Sequence, residues 1–201
     1  MNVSKQLRPG RHQLSRDEVQ THQRDRIFLA LETVMPAKGY AETTVADIIK
    51  SAGVSRQTFY QLFDSKQDCF LASYGRRQGS VIGAIFETPA TNSPMERFAA
   101  LLRTYLIVMA RDPALSRLYL IGVYAAGPEA VAKRLAMQQQ FVQGIATVFD
   151  ARSEQDRFVC QALVAAISTL VTNALLDDDP QAVLNLHQPL VHVAGQMMAT
   201  E

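Results

Sequence analysis

The chain has 201 residues, 48% of them apolar, enough for one or two small domains with a sizeable buried core. Its 10 glycines and 8 prolines show no bias, repeat or tract that would make it a repeat or low-complexity protein. A net charge of +1 excludes recognition of a polyanion by bulk charge alone.

The charge is unevenly spread. Residues 1–80 carry 12 Lys or Arg against 8 Asp or Glu, and residues 81–201 carry 8 against 11. Lys5, Arg8, Arg11 and Arg16 supply the whole N-terminal excess, with no acid among the first sixteen residues. Residues 1–16 are therefore expected to form a basic, polar, disordered arm. Such an arm either reaches phosphates or an adjacent minor groove, or is a solvated tail without consequence.

Further along, Val45, Ile48, Ile49 and Ala52 recur at i, i+3, i+4 and i+7, one apolar face of a helix. Thr44 is a good N-cap for it, and Asp47 can return a hydrogen bond in a weaker form of the capping box. Gly53 follows where a left-handed C-cap is cheapest for glycine. Val54 joins the two helices. Ser55 caps a second short helix whose buried side is Phe59, Leu62 and Phe63. Its other side carries Arg56, Gln57, Thr58, Tyr60 and Gln61, and Ser65 opens a third helix. Two short helices about a glycine turn form a helix-turn-helix, the device that lays one helix in the DNA major groove. An ordinary helical hairpin with a solvated face has the same pattern. The side-chain chemistry suits bases: Arg bonds guanine, Gln bonds adenine, and Thr offers thymine a methyl group. Tyr60 and Lys66 stand where phosphates would pass.

Long helices follow. Ser93-Pro94-Met95-Glu96 combines an N-cap, proline at the first position and a capping-box glutamate. The helix it starts should run to about Ala110 and lie centrally, because apolar residues nearly encircle it. Asp112-Pro113 starts a helix to about Gly122, Gly127-Pro128 one to about Phe149, and Ser153 one to about Leu176. Asp179-Pro180 starts a last segment, which Pro189 should kink or break. No strand-like alternation competes, so the chain reads as all-α.

Several other readings are weaker. Phe158 to Leu176 lacks charge and nears membrane-spanning length, but Gln161, Ser168, Thr169, Thr172 and Asn173 interrupt it. A buried bundle helix or dimer seam fits better, with no membrane partner. Cys69 and Cys160 have no CxxC spacing and no signal peptide goes with them, so a reducing cytoplasm is expected, with Cys69 in a core. His187 and His192, with Asp177, Asp178 and Asp179, are a possible metal set, but an acidic loop capping the next helix is favoured. His12 and His22 lie in or beside the arm. Without a nucleophile elbow, phosphate-binding glycine loop or His-Glu-x-x-His helix, no enzyme, metal or cofactor is expected.

The order Thr-Val-Ala-Asp-Ile-Ile-Lys-Ser-Ala-Gly-Val-Ser-Arg-Gln-Thr-Phe-Tyr-Gln-Leu-Phe-Asp-Ser-Lys, from Thr44, closely resembles the DNA-binding domain of the tetracycline-repressor (TetR) family. Met35-Pro36-Ala37-Lys38-Gly39-Tyr40 looks like the end of that family's first helix, with Pro36 expected to distort the last turn. The resemblance covers about Asp25 to Tyr74. It implies a helix-turn-helix domain at 17–76 and a helical ligand-binding and dimerisation domain at 77–201. It places Ser55, Arg56, Gln57, Thr58, Tyr60, Gln61 and Lys66 at DNA-facing positions and Thr44 at a phosphate-facing one. Arg56, Gln57 and Thr58 are the choices for base reading. A pocket would draw on Arg103, Tyr105, Met109, Arg117, Tyr119, Tyr124, Met137 and Phe141. A four-helix dimer seam would draw on Leu163, Ala166, Ile167, Leu170, Val171 and Ala174. The implied function is a cytoplasmic, homodimeric transcriptional regulator, a repressor released from a palindromic double-stranded DNA operator by a small-molecule effector. The rival is a helical ligand-binding or oligomerisation protein that has lost DNA binding.

Overall fold

The computed structural model describes residues 15–89, 93–177 and 179–199. Among them every regular element is helical. The chain divides into two compact units, Met1–Ser73 and Tyr74–Glu201. Residues 1–14, most of the expected arm, lie outside the described residues. Ser15 and Arg16, at the end of that arm, are already the N-cap and first residue of a helix.

In the first unit, α1 spans Arg16–Glu42, α2 Val45–Ala52 and α3 Arg56–Leu62, and α4 begins at Lys66. Ser15 and Glu18 form a full capping box at the start of α1. Pro36 sits inside α1, yet the backbone leaves helical geometry at Gly39 (φ +81°, ψ 162°), not at the proline. That φ lies in the region open to glycine and costly for other residues. α1 packs on α2 and α3. Ile27, Leu31, Met35, Ile48 and Phe59 are fully enclosed. Cys69 is enclosed too, and burial pushes its thiol up to about 12.

In the second unit, α4 continues to Phe86, followed by α5 (Pro94–Arg111), α6 (Pro113–Leu120), a 3-10 helix (Gly122–Ala126) and α7 (Pro128–Val148). Then come α8 (Glu154–Leu176), α9 (Pro180–Asn185) and α10 (His187–Met198). Four of these helices have proline in their first turn after a capping position, at Ser93, Asp112, Gly127 and Asp179. α5 is central, touching α6, α7, α8, α9 and α10. Phe98, Leu102, Leu106 and Met109 of α5 meet Leu163, Ile167, Val171 and Leu175 of α8 in one core that also takes Val183, Leu190 and Ala194.

Pro189 does not break the last segment where the sequence suggests. The interruption falls at Leu186, and Pro189 lies in the first turn of α10, where its missing N–H costs nothing. His187 docks α10 on α5, with Nε2 2.8 Å from the Ala99 carbonyl oxygen. His192 is exposed. Asp179 caps α9 by accepting from the Gln181 N–H at 2.8 Å, and Asp178 lies outside the described residues. Among the described residues no group of three or more His, Cys, Asp or Glu could hold a metal ion. α8 is long and apolar enough to cross a membrane by length and composition. Here its Cys160, Leu163, Val164, Ile167 and Val171 face is buried in the unit's core.

Candidate nucleic-acid interface

The helix-turn-helix is built by three caps. At the start of α2, the Asp47 carboxylate accepts from the Thr44 N–H at 2.9 Å and its hydroxyl at 2.8 Å. The Asp47 N–H donates back to the Thr44 hydroxyl at 3.2 Å. Lys38 Nζ lies 2.7 Å from Asp47 Oδ1, and this contact more than any other holds the Asp47 carboxyl well below the usual carboxylate range. At the end of α2, Gly53 adopts the left-handed conformation (φ +61°, ψ 38°). At the start of α3, Ser55 accepts from the Thr58 N–H at 3.0 Å, and the two hydroxyls stand 2.8 Å apart.

Two cations lock this frame to α1. The Arg26 guanidinium donates to the carbonyls of Ala52 at 2.5 Å and Gly53 at 2.8 Å, where α2 leaves its last acceptors unpaired. The Lys66 ammonium donates to the carbonyls of Tyr40 at 2.7 Å and Thr43 at 2.8 Å. It also lies 4.3 Å from the Tyr40 ring centroid. Both cations meet the negative end of a helix.

α3 is anchored from below. Phe59 is fully enclosed, and Phe63 packs on it and on Phe28 with ring centroids 5.7 and 5.5 Å apart. Leu62 is half-buried. That anchoring turns Arg56, Gln57, Tyr60 and Gln61 outward, all exposed. Among the described residues, the side chains of Arg56, Gln57 and Gln61 form no hydrogen bond or ion pair. The Arg56 guanidinium rests 5.7 Å from the Tyr60 ring centroid. A short helix thus presents unspent donors and acceptors along one side, the requirement for reading base edges.

Other expected contacts are placed differently. Lys66 is partly buried, with its ammonium engaged by main-chain carbonyls, and burial lowers its pKa. These bonds tie the start of α4 to the end of α1. Thr44, Ser55 and Thr58 spend their hydroxyls on caps, which leaves Thr58 its methyl group. Arg26, Lys38 and Tyr40 escaped sequence reading, because their partners lie 9 to 27 positions away.

In the second unit the expected pocket residues fall in more than one place. Tyr105 and Phe141 pair edge to face at 5.8 Å, and Tyr105, Met109, Tyr119 and Met137 are largely enclosed. Tyr124 is 58% exposed. Arg117 caps α8 by donating to the Leu175 carbonyl at 2.8 Å. Arg103 lies elsewhere, lining an open cleft of about 390 Å³ with Ile107, Asn185, His187 and Gln188. The seam residues separate as well. Leu163, Ile167, Val171 and Ala174 are core residues of this unit, because their face of α8 meets α5. Only Ala166 and Leu170 of that set face outward, beside Ala165, Thr169, Asn173 and Leu176.

Residues 27–73 match the family described as bacterial regulatory proteins, tetR family. None of the curated proteins matches the chain. Among solved structures, the fatty acid degradation regulator FadR from Bacillus halodurans is similar over 86% of this chain and 94% of its own, at 19% identity and a TM-score of 0.73. FadR from Bacillus subtilis, in complex with stearoyl-CoA, is similar over 85% and 96%, at 18% identity and a TM-score of 0.73. The regulator PfmR from Thermus thermophilus is similar over 84% and 98%, at 15% identity and a TM-score of 0.67. At such identities the likeness is one of fold. The family match thus covers residues 27–73, the segment that holds the helix-turn-helix, and the solved structures extend the likeness of fold over the rest of the chain.

Proposed function

We propose that this chain is a homodimeric repressor, acting in the cytoplasm, that binds a palindromic operator and leaves it when a small molecule occupies the helical unit. The observation that carries this reading is the outward side of α3, where Arg56, Gln57 and Gln61 hold groups without hydrogen-bond partners among the described residues. Arg56 and Gln57 are the base readers, with the Thr58 methyl as an apolar contact to thymine. Tyr60 sets register on the phosphates, Gln61 serves either role, and Thr44, Ser55 and Lys66 position the frame.

A two-turn helix binds weakly alone, so a dimer reading two half-sites at fixed spacing is required. The outward stripe of α8, with Ala166 and Leu170, and the exposed Val193 of α10 are the proposed seam. Small residues there let helices approach closely. A protein of the same fold is held in complex with stearoyl-CoA, which supports control by a ligand bound in the helical unit. The ligand favours one conformation by differential affinity, and the recognition helices lose their spacing.

The test is selection of bound sequences from random duplex DNA by the purified full chain. A palindromic product supports the reading. No enriched sequence would leave a helical binding protein without DNA function.

A further inference from the structure

Arg134, on α7, is the one charged side chain buried among the described residues, 7% exposed. A desolvated cation needs a counter-charge or strong acceptors. Three other arginines of the second unit have them. Arg97 donates to the carbonyls of Thr88 and Pro89, Arg117 to that of Leu175, and Arg152 to the Asp150 carboxylate. Arg134 meets only neutral side-chain oxygens. Its Nε donates to the Tyr124 hydroxyl at 3.2 Å and its Nη2 to the Ser168 hydroxyl at 3.0 Å. No carboxylate pairs with it among the described residues.

The surroundings add further donors and no carboxylate among the described residues. Gln138 Nε2 also donates to Ser168 Oγ, at 3.3 Å. Ser168 therefore accepts twice and keeps its own O–H proton to give. The Tyr124 hydroxyl likewise accepts from Arg134 and retains its proton. The Tyr74 hydroxyl is within hydrogen-bonding reach of Arg134 and Gln78, and the buried Nε2 of Gln78 has no well-formed hydrogen bond among the described residues. A guanidinium, two hydroxyl protons and two amides thus gather where no anion among the described residues answers them. Apolar surface adjoins: Met137 is one turn along α7, and the Tyr105–Phe141 ring pair lies beyond.

We propose that the Arg134 cluster is the head-group subsite of the effector site, and that it takes an organic anion, a carboxylate or phosphate monoester on an apolar body. This rests on the reading that the helical unit binds an effector. The anionic head replaces the Tyr124 hydroxyl on Arg134 and accepts from Ser168, Gln138 and Gln78. The apolar body lies against Met137, Tyr105 and Phe141. Tyr124 is the way in. Its ring sits 5.8 Å from the Arg134 guanidinium and is 58% exposed, on the 3-10 helix that ends at Gly127 (φ +95°). Entry needs that short helix to swing, not the core to open.

The test is calorimetric binding to the full chain with decanoate, decyl phosphate and neutral decanol as probes. At least tenfold tighter binding of one or both anions than of decanol is expected, and the pair tells carboxylate from phosphate. Arg134→Gln should abolish the preference, and Arg134→Lys should keep part of it. Should Arg134→Gln fail to fold, Ser168→Ala with Gln138→Ala must reduce the preference severalfold. Equal binding of decanol and both anions, no saturable binding of any probe, or a preference unchanged in these variants overturns the proposal. Operator selection on ligand-free protein is independent of it. Selection without anion preference sinks this proposal alone, and anion preference without selection supports it while removing the regulator reading.

Discussion

Arg26 and Gly53 share one hydrogen bond that closes the reading motif: the guanidinium of α1 donates to the Gly53 carbonyl at 2.8 Å. The same Nη2 caps Ala52, so the turn before α3 is held from outside as well as by its own glycine. A Cβ at Gly53 would stand 2.8 Å from that Nη2.

Gly53→Ala should therefore cost more than its backbone term. The left-handed conformation alone costs about 1–2 kcal/mol for a residue with a Cβ. Displacing the Arg26 side chain loses the cap in addition. A double-mutant cycle with Arg26→Ala, read by denaturant unfolding, should give a smaller Gly53→Ala cost in the Arg26→Ala background. Strict additivity would show that the two residues do not cooperate.

Arg56→Ala should weaken binding to the selected operator by about 1–3 kcal/mol if it reads a guanine. Binding to random duplex should change far less. An equal loss on both, in a fluorescence anisotropy titration, would assign Arg56 to phosphate.

Lys66→Met is expected to act on stability rather than on salt dependence. Its ammonium satisfies carbonyls at the end of α1, and hydrogen bonds to a charged group contribute about 1.5–3 kcal/mol, less where partly exposed. The slope of log affinity against log salt should stay unchanged, because no phosphate contact is removed. A slope shallower by about one unit would place Lys66 on the DNA instead.

Acid should begin to erode the contribution of the α2 cap only below about pH 4. The Asp47 pKa is lowered by Lys38 and Thr44, so its contribution is complete above the unfolded carboxylate value of about 3.9 and drains only as pH falls toward the folded value. Stability of wild type relative to Asp47→Asn should be flat from pH 5 to 8 and shrink below about pH 4. An Asp47-dependent change near pH 6 would contradict this assignment.

Leu170 and Leu163 separate the two sides of α8. Leu170→Glu should dissociate the proposed dimer in sedimentation while the chain stays folded. Leu163→Ala should instead destabilise the protomer by about 2–5 kcal/mol, as loss of a fully enclosed leucine does. A Leu170→Glu chain that remained dimeric would move the seam elsewhere.

Local chemistry made much of this protein legible in its sequence. Thr44 with Asp47, Gly53 and Ser55 are caps made within a few residues, and proline in the first turn of α5, α6, α7 and α9 marks their starts. The outward side of α3 follows from the spacing of Phe59 and Phe63. Tertiary structure alone decided what is joined across the chain. Lys66 looked like a phosphate ligand because a lysine after a recognition helix has no local partner. Its acceptors arrive only when the end of α1 folds beside it. Leu163 and Leu170 are one residue type on one apolar helix, and only the position of α5 makes the first core and the second surface. Arg134 carried no motif, since a charge reveals itself as uncompensated only once its surroundings are packed and water has left them.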